Sequence, residues 1–428
     1  MVEAIKIIDN ISLGITIILL LLSWHLALYF FVAVFLPPKK FKKATVNYRY
    51  GVIIPARNEE KVIAQLIDSI RKQNYPQDLI DVFVVADNCT DNTAKIAREA
   101  SAIVYERFDN VKKGKGYALD YVLNKIFEDY KDRDYKGFFF FDADNLLTED
   151  FISKMHDAIA EGHKIVTGYR SPKNYGQNWI AAGSGMIYLE QSRLEHRART
   201  KLNSSTHISG TGFYVDYQIL KKEGGWPYKT LTEDLEFSHA KVLSGCQIVQ
   251  CYDAIFYDEQ PSTLKDMFNQ RIRWVRGNYK CMTMFTLKYL KQFFKTGKLA
   301  AHDLNFVLLP IPIITFTWGI GSSIAQIIMG IMSPDINLMS IIIKLLIILG
   351  VLYAILAFIA LTVTILEWNR IIAPNFKKIL YIFTFPINMA SYVIIVYRAL
   401  FKVKTWKPIT RTSTDTIDSL QAKAKAKK

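Results

Sequence analysis

The chain has 428 residues and a formal net charge of +15, and 50% of its residues are hydrophobic. At this length it can hold two or three domains. Much of the positive charge lies beside apolar segments and in residues 422–428, where anionic lipid headgroups account for it. Because no nucleic-acid-binding motif accompanies the charge, composition excludes that class and indicates a protein that contacts membrane lipids.

Four long apolar stretches predict membrane segments. They cover residues 11–35, about 304–332, about 339–366 and about 379–401, each near or above the roughly 20 residues that a membrane helix needs. The first stretch is too long for a signal-peptide core. The basic run at 37–43 follows it, and the positive-inside rule places such a flank in the cytoplasm. We therefore expect a cytoplasmic domain between membrane segments of the cell membrane.

The region between the apolar stretches alternates strand patterns with helix patterns. Residues 50–55, 81–86 and 137–141 are typical of buried strands, and residues 62–70 and 93–100 of helices. Further strands are expected at 164–169 and near 248–256, and further helices near 149–161 and over 178–200. This alternation predicts a mostly parallel α/β sheet, in which ligands bind at the carboxyl ends of the strands.

Polar side chains follow three of the predicted strands. They are Asn58 with Glu59, Asp87, and Asp142 with Asp144. The last two repel each other unless a cation lies between them, and Mg²⁺ or Mn²⁺ prefers oxygen ligands. The alternative is structural, since Asp-x-Asp can also begin a turn or cap a helix.

Two glycine-rich segments and the start of a predicted helix contain further candidate binding or catalytic residues. Lysines and glycines alternate over 112–119, around Lys115, without the spacing of a Walker loop. A second glycine-rich segment, 208–215, permits close approach of a ligand to the backbone. Thr232 is a candidate N-cap, and Glu233 and Asp234 either complement the helix dipole or provide a general base at the helix tip.

An amphipathic helix is predicted over residues 264–280. It contains Gln270, Arg271, Arg273 and Trp274. The planar fork of arginine suits a diphosphate, and tryptophan offers a flat platform for a sugar. Arginine and tryptophan on a helix also commonly form an interface, so that alternative stays open here.

Taken together, four motifs resemble one family. Asp87, Asp142-x-Asp144, Thr232-Glu233-Asp234 and Gln270-Arg271-x-Arg273-Trp274 are similar, in order and spacing, to membrane-integrated family 2 glycosyltransferases. The resemblance is to the processive group of cellulose, chitin, hyaluronan and poly-N-acetylglucosamine synthases. It implies an α/β GT-A glycosyltransferase domain, with a mostly parallel sheet, inserted between transmembrane helices. It also implies inverting transfer from a nucleotide-activated sugar.

The resemblance implies roles for the donor-side residues. Asp144 and Asp142 would hold Mg²⁺ or Mn²⁺ on the diphosphate of the donor. Arg271 and Arg273 would approach the same diphosphate. The residues at the nucleotide end would be Asn58, Glu59, Asp87 and Lys115.

The resemblance also implies an acceptor side and a gating segment. Asp234 would take the proton from the acceptor hydroxyl, and Trp274 would stack on the acceptor sugar. Thr232, Glu233 and Gln270 would bind the acceptor with it. In the tail, Trp406, Thr410 and Arg411 resemble a mobile segment that closes over bound nucleotide. The alternative for this segment is a basic juxtamembrane stretch.

The expected organisation has five parts. They are a membrane helix with its basic flank (1–45), the GT-A domain (46–263), interfacial amphipathic helices (264–302), a membrane region (303–401) and a basic cytoplasmic tail (402–428). Three full crossings in the membrane region would place the tail outside. We therefore expect one block to lie in the interface or to break at Pro310, Pro312 or Pro386.

The favoured function is processive polymerisation of UDP-glucose into a β-glucan, cellulose-like or mixed-linkage, with export through the membrane segments. Its partners are the UDP-sugar, the growing polysaccharide and membrane lipids, with no nucleic acid. One alternative is a UDP-N-acetylglucosamine polymer of the chitin, poly-N-acetylglucosamine or hyaluronan type. Another is single sugar addition to a lipid, and a third is a non-enzymatic membrane scaffold that only binds nucleotide.

Overall fold

The structure is a computed structural model that describes residues 1–309, 311–401 and 414–425. It begins with the long apolar helix α1 (Val2–Phe35). The basic segment that follows contacts the edge of an α/β domain, where the backbone N–H of Ala44 donates to Asp157 at 2.9 Å. This segment therefore joins the first apolar helix directly to the domain.

One eight-stranded sheet forms the centre of the domain. Its strands are β1 (Arg49–Ala56), β2 (Ile80–Asp87), β3 (Ile103–Arg107), β4 (Tyr135–Phe140), β5 (Leu146–Leu147), β6 (Ile165–Pro172), β7 (Phe213–Asp216) and β8 (Ile248–Asp258). Their spatial order is β3-β2-β1-β4-β7-β6-β8-β5. All except β7 and β5 run in one direction. The predicted mostly parallel sheet is confirmed.

Helices cover both faces of this sheet. They are α2 (Ile63–Arg71), α3 (Thr93–Glu99), α4 (Lys115–Asp129), α5 (Phe151–Ala160), α6 (Trp179–Glu190), α7 (Arg197–Lys201), α8 (Tyr217–Glu223) and α9 (Glu233–Leu243). A π-helical turn, Gln191–His196, joins α6 to α7. The sequence patterns did not predict β3, a short strand of mixed polarity at the sheet edge, or α4, which begins inside the lysine and glycine segment.

The four consecutive phenylalanines pack on both faces of β4. Phe139 and Phe141 lie in the core between the sheet and α2 and α5. Phe138 and Phe140 lie in the opposite core, against α4. All four are 0% exposed, because successive side chains of a strand point to opposite faces. The predicted doubly buried strand is confirmed.

The remaining helices lie after the domain. They are α10 (Leu264–Thr296), α11 (Leu299–Leu308), α12 (Ile311–Met332), α13 (Leu338–Leu366), α14 (Asn375–Arg398) and α15 (Ile417–Lys425). In the described part of the chain, α1, α13 and α14 are long and apolar enough to cross a membrane, and residues 317–332 of α12 form a shorter apolar helix.

The last apolar helix touches the domain side of the molecule at both of its ends. Near its start, Lys377 Nζ donates to the carbonyl of Gly176 at 2.7 Å. Near its end, Tyr279 Oη of α10 donates to the carbonyl of Val396 at 3.1 Å. The helix runs through Pro386 without ending, so a break at that proline is wrong. Pro310 lies outside the described residues, and α12 contains Pro312.

Helix α15 packs against the α/β domain. Ile417 and Leu420 are buried in a cluster with Leu146 and Ile372. Lys72 Nζ pairs with Asp418 at 2.8 Å. A tail that docks on the domain lies on the same side of a membrane as the domain, so an even number of the helices α12, α13 and α14 would cross. The contacts at both ends of α14 favour that helix as the one in the interface.

We therefore expect Lys423 and Lys95 to lie on one side of the membrane and Asp335, between α12 and α13, on the other. Both lysines and Asp335 are exposed, so cysteine at each position is accessible to an impermeant maleimide. In intact cells Asp335→Cys should react, while Lys423→Cys and Lys95→Cys should react only after permeabilisation. The background carries Cys89→Ser and Cys246→Ser, because these two native thiols are partly exposed. Reaction of Lys423→Cys together with Asp335→Cys would contradict the shared side.

Candidate active site

Polar side chains collect along one edge of the sheet. The carboxyl ends of β1, β2, β3, β4, β6 and β8 meet there, because these strands share one direction. The segment Gly210–Gly212 reaches the same edge, since it precedes the antiparallel strand β7. The three polar clusters predicted after strands therefore lie along a single cleft.

The end of β2 carries a buried ion pair. Asp87 is 6% exposed and pairs with Arg107, the last residue of β3. Arg107 also donates to the carbonyl of Lys112 at 2.6 Å. Asn58, whose φ is 57°, accepts from the N–H of Thr90 at 2.8 Å. Its neighbour Glu59 donates its N–H to Thr93 at 2.8 Å. The predicted nucleotide-end residues thus connect the loops that follow β1 and β2.

The two acids after β4 occupy different environments. Asp142 is partly exposed and its carboxylate pairs with Lys115, whose ammonium also donates to the carbonyl of Gly210 at 2.7 Å. Asp144 is 3% exposed, and its carboxylate accepts the N–H of Glu259 at 3.2 Å. The backbone N–H of Asp142 donates to Thr211 at 2.8 Å. The turn in the structural alternative is confirmed, because the carbonyl of Asp142 accepts the N–H of Asn145 at 3.0 Å. The helix that follows, α5, begins only at Phe151, with Asp150 at its N-cap.

The donor set of this pair fits a hard divalent cation. Asp142 and Asp144 offer carboxylate oxygens separated by one residue, and Mg²⁺ commonly takes one or two carboxylates together with substrate phosphates and water. Within the described residues no three His, Cys, Asp or Glu side chains form a group that could hold a metal ion alone. A metal held by Asp142 and Asp144 would take further ligands from water or from substrate phosphates.

The start of α9 places two further acids in the cleft. Burial and the neighbouring Asp234 raise the pKa of Glu233 to about 7, although Lys115 acts in the opposite direction. Burial also raises the pKa of Asp234, while Lys115 and Arg273 lower it. Thr232 occupies the N-cap position, but its side chain makes no capping hydrogen bond. The hydroxyl instead contacts Cys281 of α10 at 3.9 Å.

The two arginines of the motif on α10 face different neighbours, the acids of α9 and the apolar helix α14. Arg273 lies near the acids of α9, since its charge lowers their pKa. Arg271 is 0% exposed and donates to the carbonyl of Asn388 at 3.1 Å and to Ser391 at 3.0 Å, both on α14. The structure therefore places Arg271 in the interface with α14, and its role at a diphosphate stays a prediction.

Two other residues of this motif lie on the domain side of α10. The Trp274 ring meets the edge of Tyr188 with centroids 5.9 Å apart. Gln270 has a buried side-chain oxygen for which no described group donates a hydrogen bond. Trp406, Thr410 and Arg411 lie outside the described residues.

The sequence patterns did not predict a buried ion pair whose arginine stacks on a tyrosine ring. The Arg170 guanidinium pairs with Asp258 and lies 3.6 Å from the ring centroid of Tyr188. Arg170 also donates to the carbonyl of Ser209 at 2.7 Å. Burial raises the pKa of Asp258, and Arg170 opposes that shift. Asp258 ends β8 and Arg170 lies two residues before the end of β6, so the rule that identified Asp87 could have found them.

Comparison with models of protein families identifies a family for this chain. The model of the family described as glycosyltransferase like family 2 matches residues 48–277. A probable glycosyltransferase of Bacillus subtilis, YdaM, is 29% identical over 255 residues, which are 58% of this chain and 58% of that protein. The chain thus spans well under two thirds of the length of such curated relatives.

Two other relatives carry more specific names. The β-monoglucosyldiacylglycerol synthase of Nostoc sp. is 26% identical over 62% of this chain and 57% of its own length. The poly-β-1,6-N-acetyl-D-glucosamine synthase of Staphylococcus epidermidis is 23% identical over 59% of this chain and 59% of its own. Among solved structures, the mannosyltransferase PcManGT of Pyrobaculum calidifontis, in complex with GDP-Man and Mn²⁺, has a TM-score of 0.58. It is 16% identical and covers 90% of this chain and 99% of its own, so this likeness concerns the fold alone.

The charge of Lys115 beside Glu233 and Asp234 predicts how the rate of turnover depends on pH. Turnover that uses Asp234 as a base needs its carboxylate form, so the rate should rise with pH through a pKa above the usual aspartate value. Lys115→Gln removes a charge that lowers the pKa of both Glu233 and Asp234. The rising limb should therefore move to higher pH, by roughly one unit. The measurement is the pH profile of turnover, with Lys113→Gln, an exposed position two residues away, as the control. An unchanged midpoint in Lys115→Gln would contradict the electrostatic coupling.

Proposed function

Since the chain belongs to glycosyltransferase like family 2, we propose that it transfers glucose from UDP-glucose to an acceptor hydroxyl at the membrane surface. The predicted GT-A glycosyltransferase fold is confirmed, and the chain is a glycosyltransferase with apolar helices on both sides of its domain. The observation that carries the proposal is the cleft in which Asp142, Lys115, Glu233, Asp234 and Arg273 meet. UDP-N-acetylglucosamine is the alternative donor.

Asp234 is the proposed general base. It removes the proton from the acceptor hydroxyl while that oxygen attacks the anomeric carbon, and the bond from this carbon to the diphosphate breaks. Attack from the face opposite the leaving group inverts the anomeric configuration. The raised pKa of Asp234 suits this role, because a base with a pKa closer to neutral accepts a proton more readily.

Cations around the cleft would stabilise the leaving diphosphate. The positive charges of Lys115 and Arg273 both act on the acids of α9. Either cation could therefore pair with the departing diphosphate. A Mg²⁺ or Mn²⁺ held by Asp142 and Asp144 would neutralise charge on the diphosphate. Asp87 and Asn58, beside the ends of β1 and β2, would hold the nucleoside.

A growing polysaccharide is the first candidate acceptor. The motif from Gln270 to Trp274 supports it, since an aromatic ring beside the base can hold a sugar acceptor between additions. The name of the Staphylococcus epidermidis relative is consistent with a polymer. In this form the protein is a processive synthase that passes its product across the membrane.

A lipid is the second candidate acceptor. The middle of helix α10 packs on Thr232, next to the catalytic acids, and the helix ends with exposed apolar side chains, among them Leu287 and Phe294. A hydroxyl carried by a membrane lipid could reach the cleft along this helix. The name of the Nostoc relative is consistent with this acceptor.

Asp234→Asn should lower the rate of sugar transfer by roughly 10²–10⁴-fold, because an amide cannot accept the proton. UDP binding should persist, since Asp234 is assigned to the acceptor side. The measurement is release of UDP from UDP-glucose in the presence of membranes, with Glu99→Gln, an exposed acid far from the cleft, as the control. Equal rates in Asp234→Asn and the native protein would remove Asp234 from the mechanism.

Product length should separate the two acceptors. A processive synthase yields long chains even at an early stage of the reaction, whereas single addition yields one labelled sugar per lipid. Purified protein with UDP-[¹⁴C]glucose and Mg²⁺ or Mn²⁺ is incubated with membrane lipids, and the products are separated by gel filtration and by solvent extraction. Linkage-specific β-glucosidases then identify the bond. Label that resists these enzymes would contradict a β-glucan.

A further inference from the structure

A groove of about 490 Å³ lies beside the catalytic acids, between the loop that precedes α9 and helix α10. Its walls include Leu231, Glu236, Arg276, Gly277, Lys280 and Met284. None of these residues belongs to the donor end of the cleft. The groove is therefore distinct from the region assigned to the nucleotide and the metal.

The groove has an excess of unpaired positive charge. Glu236 already accepts the backbone N–H groups of Lys229 and Thr230, at 3.1 and 2.9 Å. Lys229 pairs with Asp120 at 3.0 Å. Among the described residues, the side chains of Arg276 and Lys280 have no ion-pair or hydrogen-bond partner. An anion is therefore the complementary ligand.

Close backbone packing connects the groove to the catalytic acids. A Cβ on Gly277 would lie 2.2 Å from the Thr232 hydroxyl, so α10 can pack here only with glycine. Thr232 directly precedes Glu233 and Asp234. One turn before Arg276, Arg273 lies near the same acids. A ligand anion at Arg276 and Lys280 would thus lie beside the loop that leads through Leu231 and Thr232 into the acids of α9.

The same face of α10 becomes apolar away from the acids. At about 100° per residue, Leu287 and Phe294 lie on the face that carries Arg276 and Lys280. Leu287 is 73% exposed and Phe294 is 83% exposed. The face therefore presents cations beside the catalytic acids and exposed hydrocarbon farther along, an order that matches a phosphate attached to an apolar chain.

We propose that this groove binds the phosphate of a lipid acceptor whose free hydroxyl receives the sugar. The proposal rests on the lipid-acceptor form of the function proposed above. The lipid hydroxyl oxygen forms the bond to the anomeric carbon, its proton passes to Asp234, and the nucleoside diphosphate leaves. The lipid phosphate stays unchanged and serves only to position the hydroxyl. Arg276 and Lys280 are thus positioning residues for the acceptor.

The test compares two lipids that differ in the phosphate. Full-length protein in detergent micelles is given UDP-[¹⁴C]glucose with phosphatidylglycerol, which has a phosphate and free hydroxyls, or with diacylglycerol, which has a hydroxyl alone. The variant Arg276→Gln with Lys280→Gln should raise the KM for phosphatidylglycerol at least about tenfold and leave kcat nearly unchanged. Kinetics with diacylglycerol should not change.

A matched control is available on the same helix. Lys288 is an exposed cation about 120° around α10 from Arg276, so Lys288→Gln should not alter either KM. Phosphatidic acid, which has the phosphate but no free hydroxyl, should compete with phosphatidylglycerol. Inorganic phosphate at the same concentration should not, because it lacks the apolar chain. Equal competition by both would show an anion site that does not select a lipid, and would overturn the proposal.

Further outcomes distinguish failure of the groove as an acceptor site from failure of the proposed glycosyl transfer. An unchanged KM in the double variant, or equal losses with both lipids, overturns the groove as an acceptor site. Long polymer without labelled lipid also overturns it, while glucosyl transfer itself stands. If the native protein neither hydrolyses UDP-glucose nor transfers from it, the proposed function fails. UDP binding by the double variant at native affinity shows that it is folded.

Discussion

A single ammonium group allows the acids of the cleft to lie together. Lys115 pairs with Asp142 after β4 and lies near Glu233 and Asp234 at the start of α9. Carboxylates gathered in a partly buried site repel one another unless a cation compensates them. Burial alone would lower the pKa of Lys115, but the acids raise it, so the amine stays charged. The start of α4, after Gly114 with its φ of 130°, fixes where this charge lies.

Helix α10 connects the chemistry to the membrane side of the molecule. Arg273 lies near the acids of α9 and Trp274 contacts Tyr188, while Arg271 donates to Asn388 of α14. A buried guanidinium is stable only if hydrogen bonds replace the water it loses. This contact therefore holds α10 against the apolar helices, and a shift of α14 would move the residues that face Asp234.

The contacts of the last helices also constrain how the chain meets a membrane. Helix α13 returns to the domain, where Tyr169 donates to Glu367 at 2.9 Å. Helix α14 then contacts domain-side residues at both ends, and α15 docks beside β5. The expectation that one apolar block lies in the interface stays a prediction, and these contacts make α14 the candidate for that block. By length and apolar composition α14 could also cross a membrane, since these two properties do not report which groups a helix touches.

The sequence by itself determined the sheet and the chemical types at its edge. Apolar runs such as Phe138–Phe141 and the acids that follow them are local patterns, and a parallel sheet brings the ends of its strands to one edge. Tertiary packing decided which side chains share the cleft. Arg271 and Arg273 lie about 200° apart on α10, so only the position of α14 shows that the first is buried in an interface. Arg170 and Asp258 pair across 88 residues of chain, and the charges of the groove at Arg276 depend on the fold of the loop before α9. Such contacts join distant segments, which no local pattern can relate.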